Sequence, residues 1–347
     1  MLPRVAVIIV THNGRQFLPD CLSSLRQTDY PAERWTLMVV DNASGDGSAE
    51  YVREHFPAGH AVALSRNTGF AAANNIGLRY AIDHRFDYAY LLNQDTAATP
   101  AFLRAAVAVA EAHADAAAVQ SKLLLHGTAL VNSWGNEIHF LGFGYAGGYK
   151  QPDGPVAVRE LAYASGAAVL LRCAVLRQTG LLDESLFMYH EDLELGWRLW
   201  LAGYRCLLAP ASVVYHKYEF FRSLQKYYWM ERNRFLVMLT HYRLRTLLLL
   251  WPASLLADAG LLLQSVRGGY FRQVLAAHSY FFLPQAWRRI VSQRRLVRQL
   301  RRRPDRAVVE RFSSQIKFQG LPETVMTRVG NAVMARYWQL VQPWIRW

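Results

Sequence analysis

The chain has 347 residues, 52% of them hydrophobic, which allows one large domain or two small ones with a substantial core. Its three cysteines (Cys21, Cys173, Cys206) lie far apart with no Cys-x-x-Cys spacing, which excludes a disulfide framework and a zinc knuckle and favours a reducing compartment. The formal net charge of +13 is uneven: residues 1–216 hold 16 Lys+Arg against 20 Asp+Glu, net −4, and residues 217–347 hold 23 against 6, net +17. That asymmetry divides the chain into two functional regions, and the basic one expects an anionic partner. Nucleic acid and an anionic lipid surface both fit the charge alone.

In chain order, Val5–Val10 is a β-branched run closed by Thr11-His12-Asn13-Gly14. It is too short for a signal h-region and reads as a buried strand, so the catalytic half is expected to stay in the cytoplasm. Phe17–Leu25 has helical apolar spacing, and Leu37–Val40 is a second strand ending in Asp41-Asn42-Ala43-Ser44-Gly45-Asp46-Gly47-Ser48. A short helix over Ala49–His55, a strand over Ala61–Leu64, a helix over Gly69–Tyr80, a strand over Tyr88–Leu92 and a helix over Pro100–His113 follow. Continuous apolar strands alternating with helices predict a mostly parallel sheet with helices on both faces. Ligands of such sheets bind beyond the carboxyl ends of the strands. Here those ends carry Thr11-His12-Asn13, Asp41-Asn42, Ser65-Arg66-Asn67 and Asn93-Gln94-Asp95. Residues 121–160 read as loops and short strands, Ala162–Leu171 and Cys206–Tyr215 as strands, and Leu193–Gly203 as a helix.

Beyond His216 the character changes. Tyr227–Leu239 predicts an aromatic, basic helix. Leu244–Val266 is apolar but interrupted by Arg245, Pro252, Asp258 and Gln264, which favours a re-entrant or surface-lying helix over a clean span. Trp287–Arg303 interleaves eight arginines with Ile290, Val291, Leu296, Val297 and Leu300, a basic amphipathic pattern suited to anionic lipid.

Four polar stretches carry chemistry. Asp41, at a strand end, can accept hydrogen bonds from a base N–H or a ribose hydroxyl, or it can close the next turn, where Asp46 and Ser48 are better caps. Asn93 and Asp95, two apart on a strand, would share a face, with Asn93 on a ribose and Asp95 holding Mg²⁺ or Mn²⁺ against a nucleoside diphosphate. Glu191-Asp192 in an aromatic setting supplies a carboxylate that can deprotonate a hydroxyl nucleophile, with the charge of one expected to raise the pKa of the other. Acids that complement a helix dipole are the competing reading, the stronger one for Glu194. His216 ends a strand and could equally be a satisfied core histidine.

Together, Val7–Asn13, Val39–Ser48, Asn67–Asn75, Leu91–Thr96, Gly180–Glu184 with Tyr189–Arg198, and Val213–His216 resemble the family-2 glycosyltransferases, over about residues 3–240. The branch is similar to bacterial rhamnosyl- and galactofuranosyltransferases that build cell-surface polysaccharide. The resemblance implies an A-type glycosyltransferase fold in residues 1–216, with residues 217–347 as a helical, basic, membrane-associating and acceptor-side region. It implies an inverting hexosyltransferase using a nucleotide-sugar donor and a saccharide or polyprenyl-linked glycan acceptor. By position, Thr11, Asn13, Asp41 and Asn67 would line the nucleotide site, Asp95 would be the metal-binding end of the family's Asp-x-Asp, His216 a second metal ligand, and Asp192 the base. Asn93 departs from that motif, which removes a two-aspartate arrangement. The expected partners are donor, acceptor and an anionic membrane surface, with no nucleic acid, at the cytoplasmic face of the bacterial inner membrane. A metal-dependent nucleotidyltransferase and a non-enzymatic basic adaptor are the rival readings. The first lacks its Gly-rich loop with Arg and Lys, and the second leaves the polar strand ends unused.

Overall fold

The computed structural model describes residues 1–56, 59–218, 224–317 and 325–347. The strands are β1 (Val5–Thr11), β2 (Trp35–Asp41), β3 (His60–Ala63), β4 (Tyr88–Leu92), β5 (Thr96–Ala98), β6 (Ala116–Leu125), β7 (Val131–Ser133), β8 (Asn136–Ile138), β9 (Gly144–Ala146), β10 (Arg159–Glu160), β11 (Ala168–Arg172) and β12 (Arg205–His216). The α-helices are α1 (Leu18–Leu25), α2 (Ser48–His55), α3 (Gly69–Asp83), α4 (Phe102–Ala112), α5 (Cys173–Thr179), α6 (Glu191–Leu201), α7 (Gln225–His241), α8 (Leu244–Arg267), α9 (Phe271–Ser279), α10 (Pro284–Leu300), α11 (Asp305–Val309) and α12 (Val325–Val341).

The chain divides into two compact units, one of residues 1–136, 146–199 and 204–218 and one of residues 137–145, 200–203 and 219–347. In the first, the strand order is β10-β12-β6-β11-β4-β1-β2-β3, with β5 beside β12 and β7 beside β6. β1 lies between β2 and β4, parallel to both, and β2 is parallel to β3. Val5 to Ile9 are wholly buried, as a β-branched run covered on both faces must be. The register pairs Thr11 with Asp41, so both residues end at one edge.

The other half of the sheet departs from the parallel pattern. β11 runs antiparallel between β4 and β6, and β5 runs antiparallel to β12. β6 is a ten-residue strand that runs on to Leu125, whereas the sequence suggests only loops and short strands from residue 121. Its apolar run is broken by Gln120, Ser121 and Lys122. Tertiary partners absorb the first two polar groups: Ser121 Oγ lies 2.6 Å from Ser212 Oγ, and Gln120 Oε1 accepts from Ser165 N at 2.8 Å. Three alanines, Ala116–Ala118, enter this strand against their helical preference because only small side chains are called for there; all are buried.

In the second unit α7 packs on α9 and α10, and α8 on α9 and α12. Phe140 stacks on Trp338 at 4.5 Å. Leu244–Arg267 is one continuous helix with Pro252 inside it.

Candidate active site

The first three strand ends form one hydrogen-bonded edge. Asn13, in the left-handed region at φ 49°, turns the chain so that its Oδ1 accepts from Gly45 N at 2.9 Å and its own N–H donates to Ser44 Oγ at 2.9 Å. Gly14 N donates to Ser48 Oγ, and Arg15 N to Asp46 Oδ2. Asn42 joins the next pair of loops: its Nδ2 donates to Asn67 Oδ1 at 2.9 Å and its Oδ1 accepts from Thr68 N at 2.8 Å. Asn13 and Asn67 therefore use their side chains to shape the edge, while both stay exposed. Thr11 is fully buried, and its hydroxyl donates to Gln94 Oε1 at 2.6 Å. Asp41 differs from all of these. Its Oδ2 accepts from Ser44 N at 3.1 Å, whereas its Oδ1 is buried with no partner. A buried orphan acceptor is costly in a native structure, and a ligand N–H or O–H would satisfy it.

Asn93-Gln94-Asp95 is not a strand, so the shared-face argument for Asn93 and Asp95 does not apply. β4 ends at Leu92, and these residues make the turn into β5. Gln94 points its amide at β1, where Oε1 also accepts from His12 N at 3.1 Å. Gly14 is needed beside it, since a Cβ there would lie 1.8 Å from Gln94 Oε1. The turn moves the chain across to β12, where Thr96 pairs with His216. Asp95 O accepts from Lys217 N at 2.8 Å, and Asp95 Oδ1 stands 3.2 Å from His216 Nε2. His216 Nδ1 lies 2.9 Å from Asn132 Oδ1. With Nδ1–H donating to Asn132, Nε2 keeps its lone pair towards the carboxylate.

Those two donors suit a divalent cation. With metal–ligand bonds of about 2.1 Å, neighbouring corners of an octahedron are about 3 Å apart, close to the separation seen here. No cluster of three or more His, Cys, Asp or Glu side chains able to hold a metal occurs among the described residues.

Glu191 and Asp192 lie in the first turn of α6 rather than ahead of it. Phe187, Tyr189 and His190 lead into that helix with φ of 64°, 65° and 69°, each a strained conformation for a side-chain-bearing residue. Phe187 O accepts from Ala71 N at 3.2 Å, and a Cβ on Gly69 (φ 87°) would fall 2.5 Å from the Phe187 ring. Asp192 is held by backbone on both oxygens: Gly166 N donates to Oδ2 at 3.1 Å and Leu193 N to Oδ1 at 2.8 Å. Burial nonetheless raises its pKa, against those two N–H groups. Glu191 is pushed up well beyond the usual carboxylate range, first by burial and then by the charge of Asp192, and its Oε2 has no partner. The pair thus sets one oriented carboxylate beside a neighbour whose burial favours its protonated form.

Glu194 has a different task. It forms a buried pair with Arg198 at 2.8 Å, and Arg198 also donates to the carbonyls of Thr179, Gly180 and Leu181. Asn75 grips the next residue, donating to Leu182 O at 2.9 Å and accepting from Leu182 N at 3.0 Å. Asn75, Asn132 and Arg198 are supporting residues that sequence reading does not single out, and Asn42 and Gln94 stand in the polar strand ends without an assigned role. Only the Asx-type chemistry of Asn42 and Asn75 offered a signal.

Residues 6–178 match the Glycosyl transferase family 2 profile. The chain carries a family-2 glycosyltransferase domain. It is similar to the N-acetylglucosaminyl-diphospho-decaprenol L-rhamnosyltransferase of Mycobacterium tuberculosis, 39% identical over 70 residues, which are 20% of this chain and 23% of that protein. The match thus spans less than a quarter of that curated relative. Among solved structures, Staphylococcus aureus TarS 1–349 aligns at 15% identity with a TM-score of 0.51, over 98% of this chain and 90% of that one. The mannosyltransferase PcManGT of Pyrobaculum calidifontis, in complex with GDP-Man and Mn2+, aligns at 17% identity with a TM-score of 0.51, over 99% and 85%. These likenesses show the A-type glycosyltransferase fold with its helical C-terminal region, as the sequence suggests.

Proposed function

We propose that this family-2 glycosyltransferase transfers a sugar, rhamnose or galactofuranose, from a nucleotide-sugar donor to a hydroxyl of a saccharide or polyprenyl-linked glycan during cell-surface polysaccharide synthesis. The rhamnosyl reading draws on the short match to the mycobacterial enzyme, whose name specifies a decaprenol-linked substrate. The observation that carries the chemistry is Asp192, a carboxylate oriented by two backbone N–H groups beside the buried Glu191.

Asp192 takes the proton of the acceptor hydroxyl as that oxygen bonds the anomeric carbon and the bond from that carbon to the donor diphosphate breaks. The nucleoside diphosphate leaves, and the anomeric centre inverts in this single displacement. Asp41 Oδ1 accepts from the nucleobase, and Asn13, Asn67 and Asn93 border the nucleotide, with Thr11 supporting Gln94 beneath them. Asp95 and His216 would hold Mg²⁺ or Mn²⁺, with Asn132 fixing the imidazole. When bound there, the cation supplies positive charge to the leaving diphosphate. Residues 1–216 are the catalytic domain in this reading. Residues 217–347 hold it at the cytoplasmic leaflet of the inner membrane, where a lipid-linked acceptor resides.

The test is a panel of nucleotide sugars, each with and without Mn²⁺ or Mg²⁺, read by thermal shift and by release of nucleoside diphosphate. A metal-dependent response to one donor supports the reading. A response only to nucleoside triphosphates, with pyrophosphate released, would replace it with nucleotidyl transfer.

A further inference from the structure

Helix α8 is inside out for a helix in water. Its buried side presents Thr246, Ala253, Ser254, Ala257 and Ser265, with Leu250 the one large apolar side chain that is fully enclosed. Its exposed side presents Leu244, Leu248, Trp251, Leu255, Leu263 and Val266, at intervals that keep them on one stripe, with Leu248, Trp251 and Val266 each more than 60% exposed. Between Arg245 and Arg267 every exposed residue of the helix is apolar. A water-facing helix places these groups the other way round.

The buried side is tied down by polar bonds. Asp305, itself buried, accepts from Arg243 N at 2.8 Å and from Thr246 Oγ1 at 2.6 Å. Asp258 meets Arg234 of α7 at 2.7 Å, and Arg234 is also paired with Glu231. The start of α8 adjoins a cleft of about 630 Å³ lined by Arg243, Arg294, Arg295, Arg298 and Arg301 together with Val291. Arg294 and Arg301 are held by the carbonyls of Leu239, Tyr242 and His241 and by Asp305, which leaves Arg243, Arg295 and Arg298 to face the cleft. These three guanidinium groups, contiguous with an apolar stripe at Arg243-Leu244, match a surface that is anionic outside and hydrocarbon beneath.

We propose that α8 lies in the plane of an anionic phospholipid bilayer, with its leucine stripe in the acyl boundary and the arginine cleft at its start on the headgroup phosphates. This deepens the membrane attachment in the functional reading above by assigning it to one helix face and one orientation. At 24 residues α8 is about 36 Å long, enough to cross a bilayer. Its packing argues for the other orientation. A crossing would take Asp258 and its partners Arg234 and Glu231 into hydrocarbon, whereas an in-plane helix wets only its outer stripe.

The test uses the full chain with vesicles of phosphatidylcholine, with or without phosphatidylglycerol. Nitroxides on Leu248→Cys, Leu255→Cys and Leu263→Cys report depth; the native cysteines are buried, and burial pushes the Cys21 and Cys173 thiols up to about 12, so they stay unlabelled. The expected result is equal, shallow depth at all three sites. L248Q/L255Q should lose at least tenfold in partition at low and high salt. R295Q/R298Q should lose about fivefold per arginine at low salt only. A depth profile with Leu255 deepest, absence of immersion, or a solution dimer that hides the labels without vesicles would overturn the proposal. If the double leucine variant fails to fold, the depth readings decide. Vesicle-free release of nucleoside diphosphate separates the two readings: release without immersion sinks the α8 proposal alone, and immersion without release sinks the sugar-transfer reading alone.

Discussion

Asp95 and Asp192 are both acids at the polar edge of one unit, yet they are built in opposite ways. Asp95 sits in a turn and faces a side-chain nitrogen, His216 Nε2, at 3.2 Å. Asp192 sits in a helix, is held by two backbone N–H groups, and has a second carboxylate beside it. In the proposed reading the first arrangement offers two donors to one cation, and the second orients a base whose pKa burial raises. Side-chain partners define the one and backbone defines the other, so the two sites should fail differently when altered.

The largest effect is expected at Asp192. Asp192→Asn should lower kcat by about 10²–10⁴-fold while donor affinity stays near normal; steady-state kinetics beside donor titration reads both, and near-normal turnover would break the comparison. Glu194→Ala tests whether the third acid of that stretch is structural. Leaving Arg198 buried without its partner should cost about 3–5 kcal/mol in urea unfolding, and an unchanged midpoint would return Glu194 to a mere dipole-complementing role.

At the other site, Asp95→Ala should abolish metal-dependent donor binding by calorimetry. Asn132→Ala should weaken metal affinity about 10–100-fold, because it frees the imidazole to rotate. The smallest effect belongs to Glu191→Gln. Glu191 binds its proton more tightly folded than unfolded, so wild-type stability should fall as pH rises through the unfolded carboxyl value, about 4.3, towards the raised folded value. Glutamine removes that loss. E191Q should therefore melt higher than wild type at pH 7–8, with the gap closing below about pH 4. A constant gap would mean that Glu191 is not held protonated.

Much of the first unit was legible because its strands are continuous apolar runs with polar stops. Tyr88–Leu92 reads identically in sequence and structure, and the Thr11 and Asp41 edge follows from parallel register. β6 was not legible as one long strand, since Gln120, Ser121 and Lys122 interrupt its apolar run and the partners of the first two, Ser165 and Ser212, come from distant parts of the chain. The site shows the same limit. Its acids stand out by type and setting, and the resemblance to family 2 orders them. The partners that shape the site, Asn132 on His216, Gln94 on Thr11 and Gly166 on Asp192, act across 84, 83 and 26 positions of sequence. At Asn93–Asp95 the error was different: the strand end at Leu92 was read correctly, but the alternation of a strand was carried past it into the turn.

The central claim is a single displacement with Asp192 as the only base. Its most direct test is the anomeric configuration of the product made from a donor of defined configuration, read by the one-bond carbon–hydrogen coupling at the anomeric centre. The account predicts inversion. Retention would require a second displacement at that carbon and would contradict it.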